Sequence, residues 1–158
     1  MLKRKICLIG DFSVGKTSLL QRFVNNIFSD DCLTTIGVKI ASKIVGETKL
    51  VIWEIAGRDG LSSINVNYLV GAAGVVLVCD VTRASTFEAL ALQWQAVVDR
   101  IGEVPMVVAV NKSDDDQWQV SERQIDEFRQ RGWQFFNTSA KTGQNVQRIF
   151  KELLSKVD

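Results

Sequence analysis

Residues 10–17, Gly-Asp-Phe-Ser-Val-Gly-Lys-Thr, constrain the fold of this chain more than any other stretch. They fit the pattern G-x-x-x-x-G-K-[ST], which is typical of a loop that cradles phosphate groups between a strand and a helix. The apolar residues 6–9 predict a buried strand before this loop, and the spacing of Leu19, Leu20 and Phe23 predicts a helix after it. The N–H groups and the dipole at a helix start favour anions. The stretch therefore predicts a nucleotide triphosphate site. The alternative is a simple strand-to-helix turn with a solvated lysine.

Four residues of the loop have distinct predicted tasks. Gly10 and Gly15 permit a tight turn and a close approach of the phosphates. Lys16 can reach the terminal phosphates as a point charge, and the hydroxyl of Thr17 can ligate Mg²⁺. We therefore expect Mg²⁺ as the cofactor of a bound nucleotide.

Composition narrows the class of protein. The 158 residues suffice for one domain with its own core. The net charge of +1 argues against binding of nucleic acid or of an anionic membrane through bulk charge. The chain has no histidine, which excludes His-based acid–base catalysis and His-ligated metal sites. Cys7 and Cys79 lie in apolar runs, and no apolar run approaches the roughly 20 residues that span a membrane. We therefore expect reduced thiols and a cytoplasmic protein.

Strand and helix patterns alternate along most of the chain. Residues 38–45 and 49–55 predict a hairpin at a sheet edge, and the unbroken apolar run 75–79 predicts a central strand covered on both faces. Residues 85–88, Ser-Thr-Phe-Glu, predict a capping box that opens a helix, and residues 121–124 predict a second helix start. We therefore expect an α/β fold with a doubly wound, mostly parallel six-stranded sheet, one antiparallel edge strand and helices on both faces.

Two further polar stretches follow predicted strands, which is where ligands of such sheets bind. Residues 111–114, Asn-Lys-Ser-Asp, follow the strand that ends at Val110. Residues 139–141, Ser-Ala-Lys, follow the strand around Phe136. Taken with the phosphate loop, both stretches resemble the guanine-binding motifs of the small GTPases. Each alone has an alternative: an Asx-type turn for the first, and a loop before a helix cap for the second.

Additional stretches narrow the resemblance to one family. Residues 34–38 (Thr-Thr-Ile-Gly-Val), 52–57 (Ile-Trp-Glu-Ile-Ala-Gly) and 80–82 (Asp-Val-Thr) are similar to those of Rab proteins of the Ras superfamily. The resemblance covers essentially the whole chain. It implies the P-loop G-domain fold, a single GTP-binding domain over residues 1–158, and GTP or GDP as the ligand.

Guanine selectivity is predicted to depend on Asp114. Its carboxylate can accept both N1–H and the 2-amino group of guanine, whereas adenine offers no such pair of donors, and an unpaired buried acceptor costs about 1 to 3 kcal/mol. By resemblance, Asn111 bonds the base edge and Phe28 stacks on the base. Ser139 would support Asp114, and the Ala140 N–H would meet the guanine carbonyl. The nucleotide-binding set that the resemblance implies is Ser13, Val14, Gly15, Lys16, Thr17, Ser18, Phe28, Thr35, Gly57, Asn111, Lys112, Asp114, Ser139, Ala140 and Lys141, with Lys112 and Lys141 flanking the base ring.

The resemblance also implies a metal site and a catalytic set. Thr17 and Thr35 would ligate Mg²⁺, and Glu54 would hold the ion through a water. Thr35 and Gly57 would sense the γ-phosphate. The catalytic residues implied by the resemblance are Lys16, Thr35, Gly57 and Arg58.

Partner proteins are implied as well. Loss of the γ-phosphate contacts would release segments 25–37 and 57–67, the order-to-disorder switch of this class. Effectors and regulators would bind these segments and a patch of Ile40, Trp53 and Tyr68; the alternative is exposed apolar residues without a function. We expect a monomer that binds no nucleic acid. The sequence shows no C-a-a-X ending, so we expect membrane binding only if a lipidated tail is missing from this sequence.

Several positions depart from the family pattern. Glu54 stands where the family has Asp, and Phe12 and Ser13 stand where it has small residues. Arg58 replaces the Gln that orients the attacking water, and a guanidinium has no acceptor for a water proton. We therefore expect a GTPase with slow hydrolysis. Two alternatives stay open: a GTP-bound pseudo-GTPase that acts as a constitutive interaction module, and an ATP-dependent P-loop kinase or ATPase.

Overall fold

The computed structural model describes residues 1–25, 38–55 and 65–157. Its strands are β1 (Leu2–Gly10), β2 (Val38–Val45), β3 (Thr48–Ile55), β4 (Gly74–Asp80), β5 (Met106–Asn111) and β6 (Phe135–Asn137). Its helices are α1 (Lys16–Asn25), α2 (Ala84–Glu88), α3 (Leu90–Ile101), α4 (Glu122–Arg129) and α5 (Val146–Ser155), with a 3-10 turn at Val66–Leu69.

Across the described residues, six strands form one sheet in the order β2-β3-β1-β4-β5-β6. The β2–β3 pair is antiparallel, and every other neighbouring pair is parallel. This confirms the predicted α/β fold with one antiparallel edge strand. All seven residues of β4 are buried, as expected for an apolar strand covered on both faces.

Helices cover the sheet from both sides because each contributes an apolar stripe. On one face, Phe23 of α1 and Phe150 of α5 stack with ring centroids 4.1 Å apart. On the other face, α2, α3 and α4 pack together, and Phe87 meets Phe128 edge to face at 5.6 Å. Burial of each such ring stabilises the fold by roughly 1.5–3 kcal/mol.

The start of α2 differs from the prediction. We expected Ser85 to cap this helix, but the helix already begins at Ala84, and its N-cap residue Arg83 makes no side-chain capping bond. The reason lies in the turn after β4, where the Arg83 N–H donates to the Asp80 carbonyl over 3.0 Å and fixes the helix start earlier. The hydroxyl of Thr86 accepts from the Asp80 N–H over 2.9 Å, so this residue is used to close the turn.

The second predicted cap is confirmed. The Ser121 side chain accepts from the Gln124 N–H, and the Gln124 side chain accepts from the Ser121 N–H, which is the reciprocal pair of a capping box.

The topology brings the chemically interesting residues to one edge of the sheet. Strands β1, β4 and β5 are parallel neighbours, so their carboxyl ends, at Gly10, Asp80 and Asn111, lie at the same end of the sheet. Helix α1 begins immediately beyond β1, at Lys16. The predicted phosphate loop therefore spans the gap between the end of a central strand and a helix N-terminus.

Candidate functional site

Two glycines let the phosphate loop fit against the sheet. A Cβ at Gly10 would lie 2.5 Å from the Val78 carbonyl oxygen, which no side chain tolerates. Gly15 has φ +101°, and a Cβ there would lie 2.2 Å from Nδ2 of Asn111. Both positions therefore require glycine for backbone reasons.

The loop is tied to the motif that follows β5. Asn111 is buried, and its Nδ2 donates to the Val14 carbonyl over 2.9 Å. Its Oδ1 accepts from the Thr138 hydroxyl over 3.1 Å, and Lys112 Nζ donates to the Ser13 carbonyl over 3.0 Å. The structure thus brings two motifs into direct contact that are far apart in the sequence, since Asn111 and Val14 are separated by 97 positions.

Lys16 lies almost fully buried beneath the loop. Its Nζ donates to the carbonyls of Gly10 over 2.7 Å and of Asp11 over 3.0 Å. Burial lowers the pKa of Lys16 to about 8, although the nearby carboxylates of Glu54 and Asp11 oppose this shift. An anion such as a phosphate would stabilise this buried ammonium group, because desolvation strengthens the attraction between them.

Two of the residues expected to hold a metal ion, Thr17 and Glu54, meet at the start of α1. The Thr17 hydroxyl donates to Oε2 of Glu54 over 2.6 Å, and Glu54 is only 2% exposed. The second carboxylate oxygen, Oε1, is buried without a hydrogen-bond partner among the described residues. Carboxylate and hydroxyl oxygens are the ligands that Mg²⁺ prefers, and a buried orphan oxygen is satisfied by a cation. Thr17 and Glu54 therefore fit the ion; that Glu54 acts through a water stays a prediction.

The motif after β6, residues 139–141, orients the side chain of Asp114 in the motif after β5. The Ser139 hydroxyl donates to Oδ1 of Asp114 over 2.7 Å and accepts from the Thr142 N–H over 3.0 Å. The carbonyls of Ala140 and Lys141 each accept from the Arg22 guanidinium over 2.7 Å. These bonds fix the direction of the Asp114 carboxylate and attach this loop to helix α1.

Four predicted site residues lie outside the described residues, namely Phe28, Thr35, Gly57 and Arg58. Their roles stay predictions, as do the base contacts of Asn111, Lys112, Asp114, Ser139, Ala140 and Lys141 and the phosphate contacts of Ser13, Val14, Gly15, Lys16, Thr17 and Ser18.

The three patch residues are close to one another. Ile40 is 54% exposed and pairs with Trp53 across the β2–β3 ladder. The rings of Trp53 and Tyr68 lie 6.1 Å apart, and Lys5 Nζ sits 3.7 Å above the Trp53 ring. The patch is therefore a continuous surface.

Sequence reasoning missed a layer of supporting residues. Gln93 Nε2 donates to Oδ1 of Asp11 over 3.0 Å, and burial raises the pKa of Asp11. Asp80 forms an ion pair with Lys112, and Arg83 donates a hydrogen bond to the Phe12 carbonyl of the phosphate loop. For Asp80 the signal was present, because a carboxylate that ends a fully apolar strand needs a partner. Gln93 carried no such signal, since it reads as one polar position of an amphipathic helix.

This sheet order, with a glycine-containing loop between β1 and α1, is that of the P-loop G-domain class. Comparison with known proteins agrees with this class. The family model described as Ras family matches residues 5–158. The Ras-related protein RABC1 of Arabidopsis thaliana is 38% identical over 162 residues, covering 97% of this chain and 76% of the relative. The Ras-related protein Rab-32A of Dictyostelium discoideum is 35% identical over 171 residues, covering 97% of this chain and 77% of the relative. The Ras-related protein SEC4 of Candida albicans is 37% identical over 158 residues, covering 96% of this chain and 75% of the relative.

The chain belongs to the Ras family and is a Rab-like small GTPase of the Ras superfamily. It is thus a member of a class of GTP-binding molecular switches that bind nucleotide with Mg²⁺ and act on effector and regulator proteins. None of the described helices is both long enough and apolar enough to cross a membrane.

Proposed function

We propose that this chain binds Mg²⁺ with GTP or GDP, discriminates strongly against adenine nucleotides and hydrolyses GTP slowly. The observation that carries the proposal is the Ser139–Asp114 hydrogen bond of 2.7 Å. It fixes the direction of the Asp114 carboxylate while leaving it further acceptor sites, because an ionised carboxylate has about four. Guanine offers the two adjacent donors that such a carboxylate can take.

The phosphates would be held by Lys16 and the N–H groups at the start of α1. Lys16 is buried beneath the loop, and among the described residues its Nζ donates to the carbonyls of Gly10 and Asp11. A polyphosphate would add negative charge next to this buried ammonium group, beyond that of the nearby carboxylates of Glu54 and Asp11. Bound Mg²⁺ would neutralise charge on the phosphates, with Thr17 and Glu54 holding the ion from this part of the chain.

Slow hydrolysis is proposed from Phe12 and Arg58. Phe12 is 45% exposed on the phosphate loop, where its ring occupies space that a small residue would leave for water and for a partner's arginine. Arg58 cannot accept a water proton. The second candidate function, a GTP-bound module that does not turn over, is favoured by the same two residues.

The partner surface would comprise the patch of Ile40, Trp53 and Tyr68 together with segments 25–37 and 57–67. An exposed isoleucine beside two aromatic rings supplies apolar area at the surface, and aromatic residues are enriched in the centres of protein interfaces.

The nucleotide content of the purified chain tests this proposal. We expect GDP, GTP or both to be released on denaturation, and we expect GTP but not ATP to compete for the site in a titration. Equal affinities for GTP and ATP would contradict the guanine assignment. Stoichiometric GTP that persists through an incubation of hours would favour the constitutive module over the slow switch.

A further inference from the structure

Asp80 links two cationic side chains, those of Arg83 and Lys112, to the phosphate loop. It ends β4, and its side chain is 1% exposed. Oδ1 accepts from the N–H and the hydroxyl of Thr82 over 2.8 and 2.6 Å. Oδ2 accepts from Arg83 Nε over 3.1 Å and from Lys112 Nζ over 2.9 Å. Although burial raises the pKa of Asp80, hydrogen bonds from Thr82 and Lys112 outweigh it and hold the pKa below its ordinary value.

Each of the two cations also binds a carbonyl of the loop. Arg83 Nη2 donates to the Phe12 carbonyl over 2.8 Å, and Lys112 Nζ donates to the Ser13 carbonyl over 3.0 Å. One buried carboxylate therefore anchors two consecutive carbonyls through two side chains. The loop needs such support, because Ser13 has φ +61°, in the left-handed region that disfavours residues other than glycine.

The direction of a carbonyl sets the direction of the next N–H. Within a trans peptide the C=O and the following N–H point in opposite directions. Holding the Phe12 carbonyl on the side of Arg83 thus turns the Ser13 N–H to the opposite side of the loop. Asn111 acts in the same way on the Gly15 N–H by holding the Val14 carbonyl.

The geometry points to Arg83 as a nucleotide-positioning residue that is anchored by Asp80 and that orients the Ser13 N–H for a phosphate oxygen. Arg83 itself touches neither the base nor the phosphates in this role. The inference rests on the proposed nucleotide binding.

Arg83→Gln in the full chain tests this role, with Arg129→Gln as the matched control. Each arginine forms an ion pair with an aspartate three residues before it, and the two arginine side chains are 40% and 44% exposed. Arg129 differs in that it lies on α4, where it pairs with Asp126. We expect the dissociation of a fluorescent GDP analogue in the presence of Mg²⁺ to be about tenfold faster in Arg83→Gln, as for the loss of one charge-assisted hydrogen bond. We expect no change in Arg129→Gln.

Two further readouts separate positioning from a structural role. Arg83→Lys should recover part of the lost residence time, since the Lys112 amino group already bonds both Asp80 and a loop carbonyl. The phosphorus resonances of bound GDP should shift in Arg83→Gln but not in Arg129→Gln. The urea midpoint of the nucleotide-free protein measures separately any stability that the fold loses with the hydrogen bonds of Arg83.

The outcomes of the experiment are distinct. Equal dissociation rates and phosphorus shifts for Arg83→Gln and Arg129→Gln would overturn the role of Arg83 while leaving nucleotide binding intact. A lower urea midpoint in Arg83→Gln without a faster dissociation would overturn it in favour of a structural role. Failure of the unmodified chain to bind the GDP analogue would overturn the proposed function itself, and with it this role.

Discussion

The hydroxyl of Thr17 donates a hydrogen bond of 2.6 Å to Oε2 of Glu54, across 37 residues of sequence. The pair joins the first turn of α1 to the end of β3, and it places two hard oxygens next to each other with a third, Oε1 of Glu54, buried and unpartnered among the described residues. The extra methylene of Glu54 relative to aspartate extends its reach toward the helix. The same two side chains thus bond each other here and would share Mg²⁺ when the ion is bound.

Removing the charge of Glu54 should weaken the metal site. We expect Glu54→Gln to lower the Mg²⁺ affinity of the GDP-bound protein by 10- to 100-fold, roughly the range for partners of metal-site groups, because an amide oxygen attracts a cation less than a carboxylate. Calorimetric titration with Mg²⁺ measures this. Glu127→Gln, which changes an exposed glutamate on α4, serves as the control. Equal Mg²⁺ affinities in the two variants would show that Glu54 does not hold the ion.

Lys16 should make the stability of the nucleotide-free protein depend on pH. Its pKa falls from 10.5 to about 8 on folding, chiefly through burial. Below pH 8 the cost of burying the ammonium group is fully present. Between pH 8 and 10.5 the unfolded state binds more protons than the folded state, so this cost is relieved and the free energy of unfolding rises with pH. A pKa shift of this size corresponds to a change of about 3 kcal/mol in the free energy of unfolding.

Lys16→Met isolates this effect. The difference in the free energy of unfolding between the unmodified protein and Lys16→Met, measured by urea denaturation, should change in favour of the unmodified protein from pH 8 to pH 10. Titration of Cys7 and Cys79, whose thiol pKa values burial raises to about 11 and 12, cancels in the difference. With GDP bound the pH dependence should disappear. A difference that stays flat with pH in the nucleotide-free protein would contradict the lowered pKa.

Asp114→Asn should exchange guanine for xanthine. The 2-oxo group of xanthine requires a donor where guanine offers one, and the asparagine amide supplies that donor. We expect GDP affinity to fall by at least tenfold, as for loss of a hydrogen bond to a charged group, and XDP affinity to rise. Competition against a fluorescent nucleotide measures both. Asp116→Asn, an exposed aspartate of the same loop, should change neither, and parallel losses of GDP and XDP affinity in Asp114→Asn would point to misfolding.

Hydrolysis should respond to Arg58 and Phe12 together. With the glutamine present, the intrinsic rate of Ras is about 3–5 × 10⁻⁴ s⁻¹, and we expect the unmodified chain to be slower. Arg58→Gln should raise the single-turnover rate if the glutamine is merely missing, and lower it if Arg58 contacts the γ-phosphate as an arginine finger. If the Phe12 ring is a second obstacle, only Phe12→Gly combined with Arg58→Gln will reach the rate of the family. Hydrolysis by the unmodified protein faster than about 10⁻² s⁻¹, the rate of Gα with its arginine in cis, would contradict slow turnover.

The sequence by itself determined the architecture and the position of the site. Apolar runs such as 75–79 and the helical stripe around Phe150 are local patterns. They predict strands and helices because the two-residue period of a strand and the 3.6-residue period of a helix depend only on local backbone geometry. The phosphate loop was also predictable from the sequence, because its glycines, lysine and threonine follow a fixed local spacing between a strand and a helix.

Only the tertiary structure decided which side chains support the site. Arg83 contacts Phe12 across 71 residues, and Gln93 contacts Asp11 across 82, so no local pattern could join them. The predicted cap at Ser85 was wrong for a related reason, since a turn anchored at Asp80 had already set the start of α2. Hydrogen bonds between distant elements depend on how strands are ordered in the sheet, and that order is a property of the packed chain rather than of any segment of it.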